Sequence, residues 1–240
     1  MRIAFQPKQI IGLLLILNIL ILSVVIFLIL EIKKNEVLNL STVTVPLALP
    51  LLTEDIEKID TSSRAYIIYE PETRTVILSK NEKLRFSPAS STKIMTAILA
   101  LEEYNLADNL TAVGLENVDG STMKLWEGEV IIVENLLYGL MLPSGNDAAY
   151  VLAASSKGGE SGFVARMNEK TKELDLINTK FIDASGYSDD NYTTAYDLAR
   201  LASYALKNPK FAAIVSTKNK TVTDVTGKIS HELSNLNELL

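Results

Sequence analysis

Ser90 stands three residues ahead of Lys93 in Ser87-Pro-Ala-Ser-Ser-Thr-Lys93, and Ile94-Met-Thr-Ala-Ile-Leu-Ala-Leu-Glu-Glu103 follows at once. Ile94, Ala97, Ile98 and Leu101 recur at helical spacing. Residues three apart share a helix face, so the Ser90 hydroxyl and the Lys93 amine can meet. At a helix N-terminus Ser90 would also lie beside free N–H groups that favour negative charge. A serine nucleophile needs both things, a base within reach and donors for the oxyanion it creates. The same residues also fit a plainer role, with Ser90 as a helix cap and Lys93 as a solvated first-turn residue.

The residue inventory narrows the base. The chain has no cysteine and one histidine, His231. Cysteine nucleophiles and His/Cys metal centres are thereby excluded. A Ser-His-Asp triad would have to use His231, which no motif supports. A Ser-Lys pair is the device that remains. A second Ser-x-x-Lys, Ser121-Thr-Met-Lys124, has glycines around it and no helical run after it, so it reads as loop.

The elements that must position Ser90 come next. Ala65-Tyr-Ile-Ile-Tyr69 and Thr75-Val-Ile-Leu78, on either side of Pro71, predict a β-hairpin. Residues 104–131 read as loop. The spacing of Val133, Leu136, Leu137, Leu140 and Met141 predicts a helix stopped by Pro143. Asn146 is placed to cap an Ala-rich helix that Gly158-Gly159 ends. A third helix runs from about Ser161 to Leu174, with Phe163, Met167, Thr171 and Leu174 on one face. Thr194-Ala-Tyr-Asp197 is a capping box that opens a helix ended by Asn208-Pro209, with Leu198, Leu201, Ala202 and Ala205 inward. A hairpin followed by a block of helices is an α+β order.

A chain of 240 residues with 48% hydrophobic content holds one packed domain and an attachment segment. Its net charge of -6 argues against a nucleic-acid partner. Residues 10–30 are almost wholly apolar, and such a run spans roughly 30 Å, the hydrocarbon thickness of a bilayer. Glu-Ile-Lys-Lys follows it with no small-residue cleavage site, which favours an uncleaved transmembrane signal-anchor over a cleaved signal peptide. The expected organisation is an anchor over 1–34, a linker over 35–58 and a catalytic body over 59–240, with membrane lipid as a partner of residues 10–30.

A second motif, Ser144-Gly-Asn146, lies on the turn between two predicted helices. Ser-x-x-Lys on a helix with Ser-x-Asn in a later loop is the set that penicillin-binding proteins and serine β-lactamases share. A leaving amine needs a proton, which Ser144 could relay from Lys93, and the Asn146 amide could hold both the lysine and the substrate. The surrounding stretches sharpen the likeness. Pro88 to Thr96, Gly120 to Glu129, Asn135-Leu-Leu-Tyr-Gly-Leu-Met-Leu-Pro-Ser-Gly-Asn-Asp-Ala-Ala149 and Tyr192-Thr-Thr-Ala-Tyr-Asp-Leu198 resemble, in order, D-alanyl-D-alanine carboxypeptidases of the low-molecular-weight penicillin-binding type.

The resemblance implies a β-lactamase/DD-peptidase-like fold, an antiparallel sheet flanked by helices with a helical subdomain. It implies an acyl-enzyme on Ser90 with Lys93 as general base, Ser144 as proton relay and Asn146 binding substrate. The substrate would be the peptidoglycan pentapeptide, with β-lactams as inhibitors, no cofactor, no metal, and a body outside a bacterial cell membrane. Thr73-Arg74 replaces the family's Thr-Gly and Leu174-Asp-Leu176 its Leu-Gly-Met, both changes of small consequence. The family's Lys-Thr-Gly motif should follow Asn235-Leu-Asn-Glu-Leu-Leu240, where the sequence stops; Thr226-Gly-Lys228 is not that motif. The expectation is a chain truncated before Lys-Thr-Gly, with an open sheet edge, inactive or poorly folded as it stands. The competing readings are a class A β-lactamase-like hydrolase, for which Glu173 is one residue off register, and an inactive membrane-anchored protein of the same fold.

Overall fold

The computed structural model describes residues 20–28 and 61–240. The chain divides into two units, Met1–Ala48 and Leu49–Leu240. In the first, residues 20–28 are helical with exposed apolar side chains. No helix among the described residues is long and apolar enough to cross a membrane. The remainder of the expected 10–30 span and the 35–58 linker lie outside the described residues.

The second unit opens with the predicted hairpin. Strands β1 (Tyr66–Glu70) and β2 (Thr75–Lys80) pair antiparallel, with a bulge between Ile68 and Tyr69. Arg74 closes its turn at φ +58°. That left-handed backbone costs a side-chain-bearing residue about 1–2 kcal/mol, so the exchange of glycine for arginine is less neutral than the sequence suggests.

A 3-10 turn, Ala89–Thr92, then runs straight into helix α1, Lys93–Glu103. Loop 104–131 hides a strand that pairs with one at its end. Strands β3 (Asn109–Thr111) and β4 (Val130–Ile132) are three residues each, too short for an alternating pattern to be legible. Helices α2 (Val133–Met141), α3 (Asn146–Ala154), α4 (Gly159–Glu173), α5 (Ala195–Leu206) and α6 (Pro209–Val215) follow. Strands β5 (Asn219–Thr223) and β6 (Ser230–Ser234) form a last hairpin, with Thr226-Gly-Lys228 in its turn.

The architecture is α+β, but the described strands make three separate two-stranded sheets rather than one. The strands pair two by two, and β1 packs its face on α5, where Tyr69 meets the Tyr196 ring edge-on at 6.2 Å. Helix α1 is the centre of the core. Its Met95, Ala97, Ile98, Leu99 and Ala100 are buried, and α2, α3, α4, α5 and α6 all pack on it. Tyr104, just past its end, donates its hydroxyl to the Leu152 carbonyl of α3 at 2.7 Å.

Two local expectations change. Gly158 does not end α3, which stops at Ala154; in a left-handed conformation (φ +82°) it leads into α4. Asp175 does close α4 at φ +52°, the conformation expected of it. The capping box is only half formed. Thr194 Oγ1 accepts from Asp197 N at 3.0 Å. The Asp197 carboxylate turns instead to Asn178 N and Thr179 Oγ1, both at 2.9 Å. It is 1% exposed, so its loss strands the Asn178 N–H, while Thr179 Oγ1 keeps Thr193 Oγ1 as a partner. Removing one partner of such buried bonds costs about 1–3 kcal/mol per group. Asp197→Ala is therefore expected to lower unfolding free energy by about 1–3 kcal/mol in urea titration.

Candidate active site

The turn that carries Ser90 is made by backbone strain and closed by packing. Pro88 is buried, Ala89 takes φ +46°, and Ser90 emerges exposed on the turn that follows. A non-glycine residue in this region is held there by its surroundings. Those surroundings are the turn around Gly186. A Cβ placed on Gly186 (φ +82°) would lie 1.8 Å from the Ala89 carbonyl oxygen and 2.8 Å from Thr92 Oγ1. The two backbones touch because residue 186 has no side chain.

Directly beneath Ser90, Lys93 is 2% exposed. Its Nζ donates to Ser90 Oγ at 3.2 Å and to the Ser185 carbonyl at 2.8 Å. No carboxylate among the described residues forms an ion pair with it. Burial lowers its pKa to about 8, against the opposing pull of the Asp183 and Asp147 charges. An amine in this state is neutral in a useful fraction near neutral pH and lies within reach of the hydroxyl proton. The plain reading of Lys93 as a solvated surface residue is thus wrong.

Ser144 and Asn146 come from the turn between α2 and α3. Ser144 sits at φ +61°, and its Oγ is buried with no hydrogen-bond partner among the described residues. An orphaned buried hydroxyl is uncommon and invites a ligand or a transferred proton. Asn146 does not cap α3. It is the first residue of that helix, whose N-cap, Gly145, offers no side chain. The Asn146 amide nitrogen donates to the Asp119 carbonyl at 2.6 Å instead, and no hydrogen bond joins it to Lys93. Ser90 and Lys93 are therefore joined directly, while Ser144 and Asn146 have no hydrogen bond to either.

The sequence reading missed the supports. Asp147 Oδ1 accepts from Met123 N and Ala148 N, both at 2.9 Å, and its Oδ2 accepts from Leu125 N at 3.0 Å. It fixes the 121–125 segment, whose Ser121 carbonyl accepts from Asn146 N, to the start of α3. The stretch Ser121-Thr-Met-Lys124 is irregular, as expected. A cleft of about 240 Å³ is lined in part by Asn146, Asp183, Tyr187 and Ser185, the residue whose carbonyl takes the Lys93 amine; Ser90 and Lys93 themselves do not line it. The signal for Asp183 was present: Asp183-Ala-Ser-Gly186 is an Asx-turn pattern.

The residues that a histidine triad or a lactamase would require are engaged in structural contacts. His231 Nε2 and Glu129 Oε1 are 2.7 Å apart and both residues are buried, so the one imidazole is committed to tying β6 to the residue before β4. Glu173, needed by the lactamase reading, is at the end of α4 and pairs with Lys170 at 2.7 Å.

Comparison with known proteins agrees with this geometry. The family model of D-alanyl-D-alanine carboxypeptidases, peptidase family S11, matches residues 53–240. The D-alanyl-D-alanine carboxypeptidase DacF of Bacillus subtilis is 34% identical over 185 residues, 74% of this chain and 47% of that protein. The D-alanyl-D-alanine carboxypeptidase of Streptomyces sp. K15 is 38% identical over 170 residues, 64% of this chain and 58% of that protein. Among solved structures, the Streptomyces K15 DD-transpeptidase superposes with TM-score 0.71 at 33% identity, covering 77% of each chain. The D-alanyl-D-alanine carboxypeptidase of Mycobacterium tuberculosis H37Rv gives TM-score 0.73 at 28% identity, covering 78% of this chain and 71% of that one. The fold is that of the DD-peptidases. The chain belongs to the D-alanyl-D-alanine carboxypeptidase family, S11. It spans about half the length of the curated relatives named above.

Gly186→Ala tests the backbone contact. The added methyl group must push the turn off Ala89, and a displacement of about 1 Å at a catalytic group can cost ~10²-fold in rate. The variant is expected to lose at least that much β-lactam acylation and to melt at lower temperature than the parent chain.

Proposed function

We propose that this chain is a serine D-Ala-D-Ala carboxypeptidase acting on the stem peptides of peptidoglycan, with β-lactams acylating the same serine. The observation that carries the reading is the Lys93 amine, desolvated and 3.2 Å from Ser90 Oγ. Neutral Lys93 takes the Ser90 proton as Oγ bonds to the carbonyl carbon of the penultimate D-alanine. The carbonyl oxygen gains the charge, beside the free N–H groups that open the helical segment. As the carbon–nitrogen bond breaks, the leaving D-alanine nitrogen takes a proton that Ser144 passes on from Lys93. The buried, unpartnered Ser144 Oγ suits that part. Asn146, which lines a cleft together with Ser185, binds the substrate backbone. Water then hydrolyses the Ser90 ester. A β-lactam follows the same first step, its ring nitrogen being the leaving group.

The proposed location is the outer face of a bacterial cell membrane, with residues 10–30 in the bilayer and residues 1–9 inside. The length of the apolar run and the extracytoplasmic substrate support it. Protease added to intact spheroplasts should digest the body; protection until lysis would refute the orientation.

The acylation test is intact and peptide mass spectrometry after incubation with benzylpenicillin. Because Ser90 and Lys93 are already joined in this chain, a penicilloyl adduct on the peptide that holds Ser90 is expected, against the inactivity that the sequence led one to expect, and Ser90→Ala should abolish it. The adduct should form faster as pH rises. Below about 8 Lys93 is protonated and cannot accept the serine proton, so the rate should fall about tenfold per pH unit there and level off above. An adduct that survives Ser90→Ala would sink the assignment.

A further inference from the structure

The turn that receives the Lys93 amine is built on one carboxylate. Asp183 Oδ1 accepts from Ser185 N at 2.7 Å, Ser185 Oγ at 2.8 Å, Gly186 N at 2.5 Å and Tyr187 N at 3.2 Å. Its Oδ2 accepts from Ser188 N at 2.7 Å and Asn191 Nδ2 at 2.8 Å. Six donors on one side chain leave the segment 183–188 no alternative backbone path. The same segment offers its carbonyls to α1. Thr96 Oγ1 donates to Ala184 O at 2.5 Å, and Lys93 Nζ donates to Ser185 O at 2.8 Å. Gly186 meanwhile abuts Ala89 on the nucleophile turn.

We propose that Asp183 is a positioning residue for the Ser90–Lys93 pair. It holds the 183–188 turn so that the Ser185 carbonyl receives the Lys93 amine, and it sets a fixed negative charge near that amine. The proposal rests on the assignment of Ser90 and Lys93 as nucleophile and base. Asp183 touches neither substrate nor the reacting atoms and acts through Lys93. The charged groups that act on Lys93 are Asp183 from the turn and Asp147 from α3, both opposing the effect of burial. Asp183 is itself partly buried, which favours its neutral form, yet the donors from Ser188, Asn191, Ser185 and Gly186 outweigh that and hold its pKa below the ordinary carboxylate value. It is therefore ionised wherever Lys93 titrates.

Two substitutions grade the loss of geometry against the loss of charge. Asp183→Asn keeps the oxygen that takes four of the six bonds and loses the charge together with the acceptor for Ser188 N and Asn191 Nδ2. Asp183→Ala loses both. Lys93 would be followed by NMR of ¹³C-lysine-labelled protein, its signal identified by its absence in Lys93→Met, alongside benzylpenicillin acylation across pH. In Asp183→Asn the Lys93 midpoint is expected to move below its parent value of about 8, and the acid limb of the acylation profile to move with it. In Asp183→Ala acylation should fall on the order of 10²-fold, the penalty for misplacing a catalytic group. A Lys93 midpoint unmoved in Asp183→Asn would overturn the proposal, as would parent-level acylation in a folded Asp183→Ala. If Asp183→Ala does not fold, the Asn variant decides alone. Absence of any Ser90 adduct in the parent chain would instead refute the catalytic assignment, and the NMR midpoint would still report whether Asp183 acts on Lys93.

Discussion

A lysine amine taken out of water is the constraint on which the rest of this site depends. Holding Lys93 at a pKa of about 8 rather than 10.5 corresponds to roughly 3 kcal/mol of unfavourable burial at neutral pH. The sign follows from the depressed folded value. Both states bind the proton below about 8, so the penalty is complete there, and it is relieved as pH rises toward the unfolded value of 10.5. The fold tolerates this because α1, which carries the lysine, is enclosed by five other helices of the body. The site also supplies two oxygen partners, the Ser90 hydroxyl and the Ser185 carbonyl, so the amine is desolvated but not unbonded. A full ion pair would have kept the lysine charged. The nearby Asp147 and Asp183 direct their oxygens at backbone donors instead.

Strain gathers at the same place. Ala89 and Ser144, both without glycine's freedom, take positive φ at the two turns that carry the serine motifs. Each is clamped by a close backbone approach, Ala89 by Gly186 and the residue after Ser144 by the Gly139 carbonyl, which a Cβ on Gly145 would meet at 2.7 Å. Such conformations persist where neighbours over-determine them. The glycines that matter here are the contact partners of the strained residues rather than the strained residues themselves.

Much of this was legible in the amino-acid order, and what was hidden was hidden for a physical reason. Ser90 and Lys93 are three apart, so local helical geometry alone brings them together. The β1–β2 hairpin and the buried faces of α2 and α4 follow from period and turn chemistry. Asn146 misled because its side chain has two uses: capping is the local one, but the Asp119 carbonyl, distant in sequence, takes its amide. Thr194 and Asp197 split for a similar reason, since the carboxylate finds better partners at Asn178 and Thr179. Strands β5 and β6 were unreadable because Val222, His231 and Leu233 are their only buried residues, among exposed polar ones. The support at Asp147 reaches back to Met123 and Leu125, a separation that no local pattern encodes, whereas Asp183 binds its own turn and was legible there.

The Lys93–Ser185 bond joins residues 92 positions apart. During synthesis, therefore, Ser90 and Lys93 leave the ribosome long before the turn that buries the lysine. Until Ser185 and Gly186 dock on α1, the amine stays in water and protonated, and Ser90 is an ordinary hydroxyl. The reactive pair is thus armed by tertiary closure and not by its own helix. A nascent or partly unfolded chain is chemically quiet, and reactivity toward an acyl donor becomes a report on whether the late-synthesised turn has docked.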